Sequence, residues 1–524
     1  MKRFSARKLH KYIGIPLCIL LFFASLSGIL LNHRDLLRKI DVPRAMMPES
    51  YSFDNWNNAS VRGAVMHQGQ YYIYGNAGIW VTDSTLTTKA AASREGFAHG
   101  ADELKVVAMT ADVKDNLWAA SQYRLYLLDR GRWQQCALPR GLRERITDLC
   151  TRGDSLIMMS RSYVYVSKLS HGASPDRLSW EKKELLKPDD YTGRMLLFQL
   201  VWMLHSGEYF GTPGQLIVDI LGVVMMVLCV TGILFTIRSH KLKKRGKVMQ
   251  PERRKSLTGK LKSNLKWHNL LGAKIFYLLL FVTVTGWMLR PPMMLPLIFA
   301  KAKPWKISHL YSDNAWNDRL RALRYDEHRG EWLMSTAEGF YVMKTLDSKP
   351  KRWTMQPPMS PMGINVFEQT ADGKWLIGSF TGLYIIDPTL QGHGEGVVDY
   401  FTGKAAVPMR GRPVGNHLIS GIIRHTARPD IIFLYDRGAC VKGAATVGSK
   451  ADCSVAAFVP QPATLIATPY SLWQFALELH TGRLYKPFIG NLGVDLFVFV
   501  LGLTSIIVLY TGYKRRPRKK KDRD

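Results

Sequence analysis

Four apolar runs interrupt an otherwise mixed chain: YIGIPLCILLFFASLSGILL (12–31), QLIVDILGVVMMVLCVTGILFTI (215–237), NLLGAKIFYLLLFVTVTGWML (269–289) and FIGNLGVDLFVFVLGLTSIIVLYTGY (488–513). At about 1.5 Å per residue, each covers a hydrocarbon layer of roughly 30 Å as a helix. The first run is longer than the apolar part of a cleavable signal, and LNHRDLL beyond it offers no small-residue cleavage site. It is therefore expected to stay as an anchor.

Between the runs the pattern switches to alternation. LWAASQYRLYLLD (117–129) and KWLIGSFTGLYIID (374–387) nearly superimpose, with weaker echoes at 71–83, 156–168, 331–344 and 430–443. Each reads as two short strands joined by a Gly- or Ser-containing turn, recurring at about 40 residues, the beat of four-stranded propeller blades. About three blades are expected in each half. They either close into one propeller of six or seven blades or stand as two smaller sheets. Trp80, Trp118, Trp332 and Trp375 recur within the blades and are read as packing residues.

The domain plan follows. A first span with its N-terminus (1–32) precedes a β-rich segment (33–192), an interfacial helix with a second span (193–237) and a basic connector (238–267). A third span (268–289), a second β-rich segment (290–468), an interfacial helix with a fourth span (469–513) and a basic tail (514–524) complete it. The fold class is thus a membrane protein: a four-helix transmembrane bundle carrying two β-rich insertions.

Charge fixes the orientation. The formal net charge of +31 suggests nucleic acid at first, but Lys and Arg crowd into the N-terminus, the connector and the tail, opposed there only by Glu252, Asp522 and Asp524. These stretches fall on one side of a four-span topology, the positive-inside pattern that puts both termini in the cytoplasm and the β-rich segments on the far side, which is periplasm in a Gram-negative cell. Basic flanks of spans serve topology and anionic lipid rather than DNA. Cysteine usage agrees with export: Cys136/Cys150 and Cys440/Cys453 form one close pair in each segment. Two disulfides are expected, each worth about 3 kcal/mol.

The membrane part repeats itself. LHKYIG...SGILL aligns with WHNLLG...TGWML, matching His10 to His268, Gly14 to Gly272 and Gly28 to Gly286. LHSGEYFG...LGVVMMVLCVTG aligns with LHTGRLYKPFIG...LGLTSIIVLYTG, matching His205 to His480 and Gly232 to Gly512. This reads as a tandem duplication with both copies running the same way. The four glycines, each after Ser or Thr, are read as helix-packing residues without chemistry. His10 and His268 lie near the inner face, whereas His205 and His480 end apolar, aromatic segments at the outer face. An interfacial hydrogen-bonding role and a ligand role both fit these positions, and spacing leaves them open.

The same motifs resemble the PepSY-associated transmembrane family of bacteria, over about 150 residues of spans and flanks. That family includes inner-membrane ferrisiderophore reductases holding b-type haem. The resemblance implies bis-histidine ligation of haem b, two groups, by His10, His205, His268 and His480, with His33 in reserve. Pairing His10 with His268 and His205 with His480 keeps each pair in one leaflet; one haem per repeat would separate the ligands. The implied acceptor is an extracytoplasmic ferric chelate.

Two departures shape the expectation further. Blades stand where the family has its small PepSY domain, and the connector lacks a glycine-rich dinucleotide fingerprint. Quinol or a separate reductase is then the expected electron donor. Asp219 and Asp495 near the outer ends of their spans, and Arg34, Arg290 and Arg483, are read as interfacial residues. The remaining histidines show no zinc spacing. The rival reading is a propeller-bearing sensor or assembly protein whose membrane repeats are structural.

Overall fold

A computed structural model describes residues 6–169, 175–360, 363–390, 396–407, 415–425, 428–442, 453–455 and 458–514. Two compact units emerge: a helical one from Met1–Leu37, Gly193–Tyr311 and Leu472–Asp524, and a β one from Arg38–Thr192 and Ser312–Ser471. Each draws on both halves of the chain.

The helical unit holds α1 (Ala6–Asn32), a short α2 (Leu197–Ser206), α3 (Gly211–Arg245), α4 (Pro251–Lys274), α5 (Phe276–Trp287), a short α6 (Leu472–His480) and α7 (Lys486–Lys514). Lys8–Asn32, Glu208–Arg245 and Arg483–Lys514 are each long and apolar enough to cross a membrane. Leu221, Met225, Leu228 and Cys229 of α3 pack with Leu279 of α5 and with Leu21 and Phe22 of α1.

The third run departs from the expected straight span. α4 and α5 meet at Ile275, whose φ of −106° and ψ of 9° leave the helical region, and their axes bend by 68°. The four runs therefore make three spans, or four if the bent pair counts as one. The contrast across the bend is one of polarity: residues 251–266 carry six Lys or Arg side chains (Arg253, Arg254, Lys255, Lys260, Lys262 and Lys266) that cannot follow α5 into hydrocarbon.

The β unit is built from six four-stranded sheets, each an antiparallel meander of sequential strands: blades 1 to 6 at 63–92, 106–136, 146–183, 320–352, 366–399 and 419–455. Strand alternation divides each blade between two neighbours. In Ser155–Ser160 of blade 3, Leu156 and Met158 join Trp118 and Leu127 of blade 2, while Ile157 and Met159 join Leu323 and Met334 of blade 4. In Ile431–Leu434 of blade 6, Ile432 and Leu434 join Leu376 and Leu383 of blade 5, while Ile431 and Phe433 join Ile73 and Trp80 of blade 1. Blade 1 meets blade 2 through Ile79, Val106 and Trp133, and blade 4 meets blade 5 through Phe340 and Trp375. The ring of blades is closed, which settles the alternative between one propeller and two sheets. Three blades come from each β-rich segment, and Trp80, Trp118, Trp332 and Trp375 are all buried as expected.

The cysteines correct one expectation. Cys136 and Cys150 are free thiols. Cys136 lies in the core shared by blades 2 and 3 beside Leu149, and Cys150, the next residue along that strand, packs on the opposite face against blade 4. Sequence proximity put them close, and alternation turns them apart. Burial pushes both thiols up to about 12, so neither is reactive at neutral pH. Cys440 is disulfide-bonded; the side chain of Cys453 lies outside the described residues.

Blades 4 and 5 are also tied by one carboxylate. Asp326 accepts bonds from Trp375 Nε1 (3.1 Å), Gln369 Nε2 (2.8 Å) and Arg329 Nη1 (2.9 Å). Burial alone would raise its pKa, but these donors hold it below the ordinary carboxylate value. A depressed carboxylate contributes stability that is complete above its unfolded pKa and lost as pH falls through the folded one. The unfolding midpoint of the β unit is expected to hold from pH 7 to about 5 and to drop below about 4. Asp326→Ala, which strands three donors, is expected to cost about 2–4 kcal/mol and to flatten that acid limb in denaturant titrations. Alkylation in denaturant without reductant should label Cys18, Cys136, Cys150 and Cys229 and spare Cys440.

Candidate functional site

The repeated Leu-His-(Ser/Thr)-Gly has a local structural meaning. α2 ends with His205 and Ser206, and α6 ends with His480. Gly207 and Gly482 follow with φ of 81° and 73°, the left-handed stop that glycine adopts without steric cost. A Cβ on Gly207 would also lie 2.2 Å from Gly214 O, so the turn excludes any larger residue twice over. The motif thus halts a short helix and leaves an imidazole in its final turn.

Each imidazole is seated in the same way on a span. His205 Nδ1–H donates to Val282 O (3.0 Å), with Thr285 Oγ1 at 3.4 Å. His480 Nδ1–H donates to Ala24 O (2.9 Å), with Ser27 Oγ at 3.2 Å. His10 Nδ1–H donates to Val508 O (3.0 Å), with Thr511 Oγ1 at 3.4 Å. His268 Nδ1–H meets Thr231 Oγ1 at 3.0 Å. Every one of these hydroxyls donates to the carbonyl four residues back: Phe281, Phe23, Ile507 and Val227. Its oxygen is left as an acceptor beside the ring.

The residue after each hydroxyl is one of the four glycines at 28, 232, 286 and 512, and its role goes beyond helix packing. A Cβ added to Gly286 would lie 2.6 Å from His205 Cε1; the corresponding distances are 3.2 Å for Gly28 and His480, 3.0 Å for Gly512 and His10, and 3.5 Å for Gly232 and His268. These glycines are the floors of imidazole sites. The (Ser/Thr)-Gly pairs in the apolar runs carried the signal, because the hydroxyl bonds Nδ1 and the missing side chain admits the ring.

The four predicted histidines come together in two pairs. His205 and His480 have ring centroids 6.0 Å apart, and His10 and His268 have theirs 6.2 Å apart. His33 joins neither pair by its own bonding: its Nε2 lies 2.9 Å from Asp219 Oδ2, and Asn32 bonds the other carboxylate oxygen. Arg290 faces Asp495 at 3.6 Å, Arg483 faces Glu478 at 3.0 Å, and Arg34 lies over the Trp473 ring. With Nδ1 committed as a donor, the nitrogen left for a ligand is Nε2. Among the described residues no group of three or more His, Cys, Asp or Glu is placed to hold a bare metal ion.

Similarity to known proteins was found in sequence and in structure. The sequence model described as the PepSY-associated TM region matches residues 7–514. No curated protein matches the chain in sequence. Among solved structures, the extracellular domain of a protein described as a hybrid two component system, BT4673 from B. thetaiotaomicron, aligns at 11% identity and a TM-score of 0.35 over 76% of this chain and 35% of that one. The Cps50 (Swd1) β-propeller domain of Myceliophteria thermophila aligns at 8% identity and 0.34 over 74% and 96%. PorZ, a type-IX secretion component of Porphyromonas gingivalis, aligns at 10% and 0.21 over 75% and 46%.

The glycine floors make a graded test of the helical unit. Gly286→Ala, whose methyl would overlap His205, is expected to lower stability by about 1–3 kcal/mol. Gly232→Ala, with 3.5 Å to spare, should fall within about 0.5 kcal/mol of the parent. Thermal unfolding of the two variants in detergent measures the difference.

Proposed function

The chain belongs to the PepSY-associated TM family, and from that premise we propose a bacterial inner-membrane electron-transfer protein. In this reading it holds haem b between His10 and His268 and again between His205 and His480, and passes electrons outward to a periplasmic ferric chelate. Its helices form a four-span bundle descended from a tandem duplication, with both termini cytoplasmic. Quinol or a separate reductase supplies the electrons.

The observation that carries the reading is the paired, pre-oriented imidazoles. The ring centroids stand 6.0 and 6.2 Å apart with planes at 41° and 79°, close enough for one metal to take a nitrogen from each ring at about 2.0–2.1 Å. A donor set of two imidazoles, with no third metal-ligating side chain grouped beside them among the described residues, suits a metal that brings its remaining ligands with it, as a macrocycle does. It does not suit tetrahedral zinc. Bis-imidazole haem supplies one-electron transfer at a potential tuned by burial and by hydrogen bonds to its ligands.

The chain's own residues do the rest. Val282, Ala24 and Val508 carbonyls hold Nδ1 protons and so fix which nitrogen ligates; Thr231 does the same for His268. The glycine floors and the apolar side chains of α1, α3, α5 and α7 keep water from the rings.

Purified protein from haem-replete cells is expected to show a paired-imidazole visible spectrum. His480→Ala and His205→Ala should each abolish the same one of two haem signals, while His10→Ala and His268→Ala abolish the other. Haem-free wild-type protein would sink this reading and favour a membrane-anchored propeller acting as a sensor or assembly protein.

A further inference from the structure

In a propeller the residue just before the first strand of each blade recurs at one end of the ring. Those strands are Gly63–His67, Val106–Ala111, Ile146–Arg152, Leu320–Asp326, Val366–Gln369 and Ile419–Ile423. The residues preceding them are Arg62, Lys105, Arg145, Arg319, Asn365 and Leu418. Basic side chains thus occupy this position in four consecutive blades, and all four are half-buried. The loop into blade 3 adds Arg140 and Arg143, and Arg161 and Arg321 stand at the same end of blades 3 and 4.

Among the described residues, acids at this end pair with part of that charge. Asp102 pairs with Lys105, Glu103 with Arg124, Glu338 with Arg319 and Asp318 with Arg161. Glu144 is taken up by the Ser160 and Ser162 hydroxyls at 2.9 and 2.6 Å. Among the described residues, the guanidinium groups of Arg321 and Arg62 hydrogen-bond neutral oxygens. Arg321 donates to the Asp318 and Leu320 carbonyls. Arg62 reaches the Asn76 and Asn365 side-chain oxygens only at 3.4 Å. Both arginines touch one segment of blade 5: Arg62 bonds Asn365, and the Arg321 stem lies 3.6 Å from where a Cβ on Gly363 would be. Burial, and after it the neighbouring Arg161, push Arg321 down to about 10, against the opposing pull of the Asp318 carboxylate.

We propose that this end of the propeller is a binding site for a small oxyanion carrying several carboxylate or phosphate groups, gripped by Arg62 and Arg321 with Arg145 beside them. Planar guanidinium forks recognise such groups through paired, charge-assisted bonds. The site stands on the β unit alone and is independent of the haem reading. A ferric polycarboxylate would be one member of the class.

Isothermal titration of the full chain in detergent tests it, with citrate as the polycarboxylate probe, pyrophosphate as the phosphate probe and trimethyl citrate as the uncharged control. At least one anion should bind saturably, more weakly as salt rises, while the ester does not. Which of the two binds identifies the source. Arg321→Gln and Arg62→Gln should each weaken binding about tenfold, with Arg321→Lys between. Absence of saturable binding of either anion to the wild type would overturn the proposal whatever the variants do. So would equal binding of the ester, or parent-like affinity in both Gln variants. Haem absorbance, read on the same samples, keeps a failure here distinct from a failure of the electron-transfer reading.

Discussion

A buried imidazole must give its N–H to something, and in a bundle of apolar helices the acceptors on hand are few: backbone carbonyls already engaged in helix bonds and an occasional hydroxyl. The molecule meets this constraint identically at four places. A Ser or Thr hydroxyl turns back to the carbonyl four residues earlier, a second carbonyl or the hydroxyl itself takes Nδ1–H, and a glycine clears the space for the ring. From this arrangement follow the short helices that end on histidine, the left-handed glycines that stop them, and the small residues spaced along the spans. Where such a proton is fixed, so is the tautomer, and an otherwise ambiguous ring becomes a directed donor of one lone pair.

The β unit depends on a different constraint, the two-residue period of a strand buried on both faces. Because Leu156 and Ile157 serve different cores, neither face of blade 3 can be made polar without opening a gap against a neighbour. This is why the middle strands read as unbroken apolar runs, and why polar and charged residues are pushed to the turns. The basic residues before the first strands are a product of that sorting. They sit where the backbone pattern tolerates charge, at one rim of the ring.

Much of this was legible beforehand because it rests on periodicity. The apolar runs, the blade repeat with its tryptophans and the recurrence of His10, His205, His268 and His480 all show in the chain. What was hidden depends on contacts between distant segments. The glycines at 28, 232, 286 and 512 looked like packing residues because nothing nearby in sequence shows that a ring from another helix lands on them. Cys136 and Cys150 looked like partners because loop length says nothing about which face of a strand each occupies. The bend at Ile275 has no proline or glycine at the hinge itself, and only the contrast between the charged α4 and the apolar α5 marks it. Closure of the six blades required knowing that Phe433 and Trp80 share a core.

The seating of the imidazoles crosses the chain's midpoint every time. His10 and His205 rest on α7 and α5, while His268 and His480 rest on α3 and α1. Nascent protein therefore enters the membrane with its first two histidines lacking their acceptors, and they gain them only after α5 and α7 have been synthesised. Completion of the sites is thereby timed to the end of translation. A truncated product would insert and keep its spans yet carry no finished site, whereas two separately made halves hold all the complementary parts needed to build it together.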